Sequence, residues 1–246
     1  MPSLAIDRNG FLMSSKERIK AVIFDLDNTL VESQIDYRQM KLDVLEELAR
    51  SGVEAYLLDP SKTIVENIRR GKEDLQRKDP GLDLDELDER INALLTLREL
   101  ERVQTARAHG GAPTALDAIG GRGLAMAVLT RGSRTYAQKV LALTGLDGRV
   151  GPCVCRDDYP LEEAKPNPLA MRRAARMLGL KAEECLYIGD HVMDLECAVA
   201  SGARFVGVLT GSTDLERWRQ SGCETIIASI AELPDFLMEM DERGDI

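Results

Sequence analysis

Short apolar runs alternate with helically spaced apolar positions over most of the chain. The first run is AVIFDL at 21–26, apolar on both faces as a central strand of a parallel sheet requires. Further strands are expected at 124–129 (LAMAVL), 150–155, 185–188 (CLYI), 204–209 (RFVGVL) and 225–228 (TIIA). Between them the period changes to that of helices at 114–119, 134–143, 168–178 and 194–201. Pro113 suits a first helical position, and Gly145, Gly179 and Gly202 mark helix ends. Strands separated by helices predict βαβ units, hence an α/β Rossmann-like parallel sheet with helices on both faces.

One segment breaks the alternation. From 35 to 109 the pattern is helical almost throughout, with a short apolar Tyr56-Leu57-Leu58 as its only strand-like piece. Met40, Val44, Leu45 and Leu48 share a face in a helix over 37–50. Asp59-Pro60 suggests the start of a second helix reaching about 75, and Asp83 with Glu86 suggests a capping box for a third reaching about 107. The segment is too long for one crossover and reads as an all-helical insert. Gly110-Gly111 is either its return hinge or a plain helix stop. The expected organisation is a weakly ordered leader over 1–19, a core from 20–34 and 110–246, and a helical cap over 35–109. Met13 offers a second plausible start beside Met1.

Composition narrows the partners. The 246 residues carry a formal net charge of -10, which disfavours nucleic acid and anionic lipid surfaces. No apolar run approaches a membrane span, so no membrane partner is expected. Five scattered cysteines, with Cys153 and Cys155 in a C-x-C, fit thiols in a reduced cytoplasm better than a disulfide framework. Gly120-Gly121-Arg122-Gly123 precedes a strand, whereas a nucleotide loop follows one, so it reads as a turn.

The candidate chemistry lies at strand ends. Asp25-Leu26-Asp27-Asn28-Thr29 follows the first strand, and residues two apart on a strand share a face. The two carboxylates can converge on one site, where a hard divalent cation would offset their repulsion; a strand-end Asx turn explains the same residues. Thr130 ends the second strand and leads into Arg131-Gly132-Ser133, a phosphate-oxygen cradle or a helix cap. Lys165 stands between Ala164 and Pro166 in a proline-stiffened loop, aimed at a set point or simply solvated. Gly189-Asp190 follows the fourth strand, with Asp194 on the next helical turn as a metal ligand or cap. The order is acid pair, hydroxyl, lysine, acid pair.

With that order the chain resembles the haloacid dehalogenase superfamily from about residue 20 onward. Its motifs match as D-x-D-x-T at 25–29, Thr130, Lys165-Pro166, and G-D-x-x-x-D at 189–194. Asn28 to Ser33 and Lys165-Pro166-Asn167-Pro168 look like the phosphoglycolate phosphatase branch, whose members carry a helical cap. The resemblance implies a Mg²⁺-dependent phosphatase acting on a small phosphorylated metabolite, as a monomer or homodimer. Asp25 would be the nucleophile that becomes an aspartyl phosphate, and Asp27 the general acid and base. Asp25, the Asp27 carbonyl, Asp190 and Asp194 would hold the metal. Thr130, Arg131 and Lys165 would bind the phosphoryl group, Lys165 also offsetting charge at Asp25.

Arg131 and His191 depart from the family pattern, where Asn and Ser or Thr are common. Arg131 can serve through its backbone or its charge; His191 suits a structural role at the edge of the site. An acid at Asp27 favours phosphoryl transfer over dehalogenation. A phosphomutase of the same fold and a non-catalytic phosphate binder remain alternatives, and a cap disfavours large protein substrates. Arg69, Arg70 and Lys72 in the insert are either a solvated helix face or a meeting point for an anionic substrate tail.

Overall fold

The computed structural model describes residues 17–246. The leader expected over 1–19 falls mainly outside the described residues. Ile19, at its end, is buried, and its N–H donates to the carbonyl of Asp245 at 2.8 Å.

Strand β1 (Ala21–Phe24) lies at the centre of a six-stranded parallel sheet, and all four of its residues are fully buried. The other strands, after a short β2 (Val31–Glu32) and β3 (Arg107–Ala108), are β4 (Ala125–Leu129), β5 (Cys153–Val154), β6 (Cys185–Gly189), β7 (Arg204–Val208) and β8 (Ile226–Ile227). The sheet order is β5-β4-β1-β6-β7-β8. Side chains alternate across it: Val22 and Phe24 face one apolar layer, Ala21 and Ile23 the other.

Each layer is closed by helices. On one face, α6 (Pro168–Met177) and α7 (Val192–Ser201) pack small side chains, including Ala170, Ala174 and Ala198, close to the sheet. On the other lie α4 (Ala112–Gly121), α5 (Arg134–Thr144) and α9 (Leu233–Glu242), with Leu116, Ile119, Val140 and Leu237 inward. Helix α8 (Leu215–Gln220) places Trp218 over Gly207, where a Cβ would come within 2.9 Å of the indole. Neither α8 nor α9 is anticipated from the sequence pattern.

The segment between β2 and β3 contains α1 (Tyr37–Arg50), α2 (Ile64–Lys78) and α3 (Asp85–Arg102). Helix α2 starts later than Asp59-Pro60 suggests. Asp59 is occupied by a local turn with Ser61, and Thr63 caps the helix by accepting from the Glu66 N–H at 3.1 Å. The capping box of Asp83 and Glu86 does not form: Asp83 Oδ1 accepts from Asp85 N at 2.9 Å, and α3 has no side-chain cap. The apolar 56–58 piece is not a strand; a 3-10 turn covers Ala55–Leu57.

β2 and β3 pair antiparallel, Val31 with Ala108 and Glu32 with Arg107, so the chain leaves and re-enters the core side by side. Gly111 follows at φ +84°, and a Cβ there would come within 2.6 Å of Ala231 Cβ. All five cysteines are free, and no helix among the described residues is long and apolar enough to cross a membrane.

Candidate active site

Sheet register assembles the site. Phe24 stands level with Val128 on β4 and Ile188 on β6. The residue that follows β1 is Asp25, and two residues on from the flanking positions come Thr130 and Asp190. Three of the predicted groups therefore meet at one carboxyl edge of the sheet, where open parallel sheets bind ligands. Asn28 adopts φ +60° as the chain turns back, and its carbonyl accepts from Thr210 Oγ1 at 2.5 Å.

Lys165 reaches in from the loop before α6. Its Nζ donates to Asp25 Oδ1 at 2.5 Å, to Asp194 Oδ1 at 2.7 Å and to Tyr187 Oη at 2.9 Å. This lysine is 2% exposed, so its charge acts without much solvent screening. Burial alone would lower its pKa; the carboxylates of Asp194 and Asp25 outweigh that and raise it.

Asp25, Asp190 and Asp194 are buried, and each offers a carboxylate oxygen within 4.8 Å of the others. Burial, with repulsion from Asp194, Asp190 and Asp27, pushes Asp25 well above the ordinary carboxylate range against the pull of Lys165. Asp190 rises to about 7, first through burial and then through Asp194. One lysine for three clustered acids leaves negative charge uncompensated, and an all-oxygen donor set suits a hard divalent cation. Two glycines permit the crowding: a Cβ on Gly189 would come within 2.6 Å of Asp194 Cβ, and one on Gly211 within 2.5 Å of Asp190 Cβ.

Asp27 is placed differently. Its side chain is outside that cluster, and its Oδ1 accepts from the Tyr136 hydroxyl at 2.5 Å. Burial lifts Asp27 to about 6, against the pull of that hydrogen bond.

Thr130 Oγ1 accepts from Gly132 N at 2.9 Å. His191 is the N-cap of α7: its Nδ1 accepts from Met193 N at 3.1 Å, and its own N–H donates to Asp194 Oδ2 at 3.1 Å. Asp194 thus joins the acid cluster and caps α7 at once. Arg131 Nη1 donates to the Lys165 carbonyl at 3.0 Å.

These groups form the floor of a cavity of about 420 Å³, roofed by side chains from the helical insert. Arg69, Arg70 and Lys72 do not line it; Arg69 pairs with Glu73, and Lys72 with Asp88 and Glu162. Lys41 of α1 is the insert cation that does.

Three further groups escaped the sequence reading. Tyr187 and Tyr136 are buried phenols, and a buried hydroxyl needs a partner. That requirement is the one signal the chain offered for them. The third is a pair: Arg156, after β5, meets Glu99 of α3 in an ion pair whose side chains are 2% and 4% exposed. Glu99 Oε2 also accepts from Ser133 N at 3.0 Å.

Residues 19–202 match the family described as haloacid dehalogenase-like hydrolase. The chain belongs to that family. It is similar to the phosphoglycolate phosphatase of Neisseria meningitidis serogroup A, 28% identical over 93% of this chain and 98% of that one. It is also similar to the N-acetylmuramic acid 6-phosphate phosphatase of Pseudomonas aeruginosa, 26% identical over 89% of this chain and 95% of that one. Among solved structures, a HAD family hydrolase from Deinococcus radiodurans, determined with bound phosphate and sodium, aligns at a TM-score of 0.60. That protein is 25% identical, with 91% of this chain and 97% of its own covered. Its family, fold and branch resemblance therefore agree with the motif order at 25–29, 130, 165 and 189–194.

Proposed function

We propose that this protein is a Mg²⁺-dependent phosphatase that hydrolyses a small phosphomonoester, of the phosphoglycolate type, through an aspartyl phosphate on Asp25. The observation that carries this reading is the separate partnership of the two motif carboxylates. Asp25 is held by the ammonium of Lys165, and Asp27 by the phenol of Tyr136. Two acids two residues apart, in different environments, suit two different roles.

Asp25 attacks phosphorus, and the bond to the leaving oxygen breaks as the Asp25–phosphorus bond forms. Asp27 gives its proton to that oxygen. Water then gives a proton to Asp27 and attacks phosphorus, releasing inorganic phosphate and restoring Asp25. Lys165 keeps an anionic nucleophile tolerable beside an anionic ester. Thr130 and Arg131 line the same cavity, and the Thr130 hydroxyl and the Arg131 N–H suit phosphoryl oxygens. Asp25, Asp190 and Asp194 fit a hard cation, with the Asp27 carbonyl as a further donor implied by family resemblance. Mg²⁺ there would screen phosphate charge and orient the phosphoryl oxygens. The three insert helices act as a cap over 35–109 that excludes water and limits substrate size.

The test is phosphate release with Mg²⁺ from a panel of phosphoglycolate, sugar phosphates, nucleoside monophosphates and p-nitrophenyl phosphate, beside Asp25→Asn. Release that needs both Asp25 and the metal supports the reading. Full activity in Asp25→Asn, or activity that survives excess EDTA, refutes it. Transfer of the phosphoryl group to a sugar in place of water would make the protein a mutase.

A further inference from the structure

Two arginines, Arg131 and Arg156, line the wall of the cavity. They are unequally satisfied. Arg156 has the Glu99 carboxylate, Asn92 Oδ1 at 3.1 Å, Thr96 Oγ1 at 3.0 Å and the Arg131 carbonyl at 2.9 Å. Its charge is neutralised and its donors are engaged.

Arg131 has no carboxylate within ion-pair distance among the described residues. Only Nη1 is engaged, by the Lys165 carbonyl at 3.0 Å and by Met193 Sδ at 3.5 Å. Its Nε and Nη2 have no acceptor among the described residues and are not sealed from solvent, and Arg131 lines the cavity. Burial and the nearby charge of Arg156 lower its pKa to about 10, which leaves it protonated at neutral pH. A guanidinium kept charged in a recess, with its fork unused, is a ready receptor for a planar two-oxygen anion.

Position decides which anion. Lys165 meets Asp25 through its ammonium end, while Arg131 grips the backbone carbonyl of the same lysine. Arg131 and Asp25 also line the same cavity, so the far end of an ester bound at Asp25 has the guanidinium within the same recess. The roof above is mainly apolar, with Ile64, Val65 and Leu95; the acid it contributes, Glu99, is engaged by Arg156 and the Ser133 N–H, and its cation, Lys41, donates to the Pro60 carbonyl at 3.0 Å.

We infer that Arg131 is the specificity residue of this site: its free Nε and Nη2 donors take a carboxylate on the leaving group, so the preferred substrate is the phosphate ester of a short hydroxy acid. This rests on the phosphatase reading and adds to it the group that selects the substrate. A site built around a charged hydrogen-bonding partner discriminates strongly against an analogue that lacks it.

The experiment compares 2-phosphoglycolate with 2-hydroxyethyl phosphate, similar in size but lacking the carboxylate, on the wild type, Arg131→Gln and Arg131→Lys. The wild type is expected to favour phosphoglycolate at least ten-fold in kcat/KM, mainly through KM. Arg131→Gln brings the ratio close to one, and Arg131→Lys keeps part of it. An equal loss on both esters would place the guanidinium on the transferring phosphoryl group and overturn the inference. So would a ratio that Arg131→Gln leaves unchanged. Calorimetric binding of both esters to Asp25→Asn, with and without Arg131→Gln, removes turnover from the question. Tighter phosphoglycolate binding that Arg131→Gln abolishes upholds the role of Arg131 even if the wild type releases no phosphate, which would count against the phosphatase reading alone. Equal binding of the two esters overturns the role.

Discussion

The hydroxyl of Tyr136, at the start of α5, donates to Oδ1 of Asp27 at 2.5 Å, joining residues 109 apart in sequence. Tyr136 is 1% exposed, so its ring is fixed by packing and its hydroxyl has little freedom to leave. Asp27 is thereby held in one rotamer at the cavity floor, a fixed position that suits the proposed general acid.

Tyr136→Phe removes that hydrogen bond and leaves the ring. A bond to a charged group contributes roughly 1.5–3 kcal/mol, so turnover of an alkyl phosphate should fall about ten-fold or more. The loss should be smaller on p-nitrophenyl phosphate, whose leaving group departs without a proton. Steady-state rates on both esters check this; an equal loss on both would mean that Tyr136 acts on the fold and not through Asp27.

Metal removal has a thermal signature. Asp190 has its pKa raised to about 7 and Asp25 is raised well above the ordinary carboxylate range, so each contributes stability below an unfolded pKa near 4 and loses it as pH rises through the folded value. Without metal the protein should therefore lose thermal stability between pH 5.5 and pH 8 from these groups. Mg²⁺ at a hundred times its dissociation constant stabilises by about 2.7 kcal/mol, several degrees in Tm for a chain of this size. The gain should be larger at pH 8 than at pH 5.5, where protons compete for the same oxygens. Melting curves at both pH values test it, and a Mg²⁺ response that survives Asp190→Asn would remove Asp190 from the metal site.

The parts that were legible in the sequence are those written locally. An apolar run followed by acids at Asp25 and Asp27 locates a strand and its carboxyl end together, although β1 ends at Phe24, two residues short of the expected 26. Gly145 and Gly202 end α5 and α7 in the left-handed conformation. The start of α2 is not legible in the sequence because Asp59 and Thr63 are both plausible caps, and only packing chooses between them. β2 and β3 are two residues each, and their pairing depends on where the whole insert returns. Arg156 and Glu99 are 57 residues apart, on a loop and a helix, and neither position is unusual for its own element. Their meeting is a property of the tertiary fold, so no local signal existed to find it.

That pair should be the most sensitive joint between insert and core. Removing one partner of a buried ion pair strands the other charge, at a cost of about 3–5 kcal/mol. Arg156→Met should lower Tm by roughly 10 °C. Glu99→Gln keeps an oxygen for the Ser133 N–H, so adding it to Arg156→Met should recover part of the loss. Differential scanning calorimetry of the two single variants and the double variant measures the coupling. Additive losses would show that the pair contributes no interaction of its own.

Gly211 tests the crowding of the acid cluster from the other side. A Cβ at this position would come within 2.5 Å of Asp190 Cβ, closer than real side chains approach, so Asp190 must turn away. Gly211→Ala should raise the Mg²⁺ concentration needed for half-maximal activity ten-fold or more, while circular dichroism stays that of the wild type. Gly148 supplies the control, since a Cβ there meets nothing within 4 Å and Gly148→Ala should leave the Mg²⁺ requirement alone. A normal Mg²⁺ requirement in Gly211→Ala would show that the site does not depend on the observed position of Asp190. The metal would then have to be held mainly by Asp25, Asp194 and the Asp27 carbonyl.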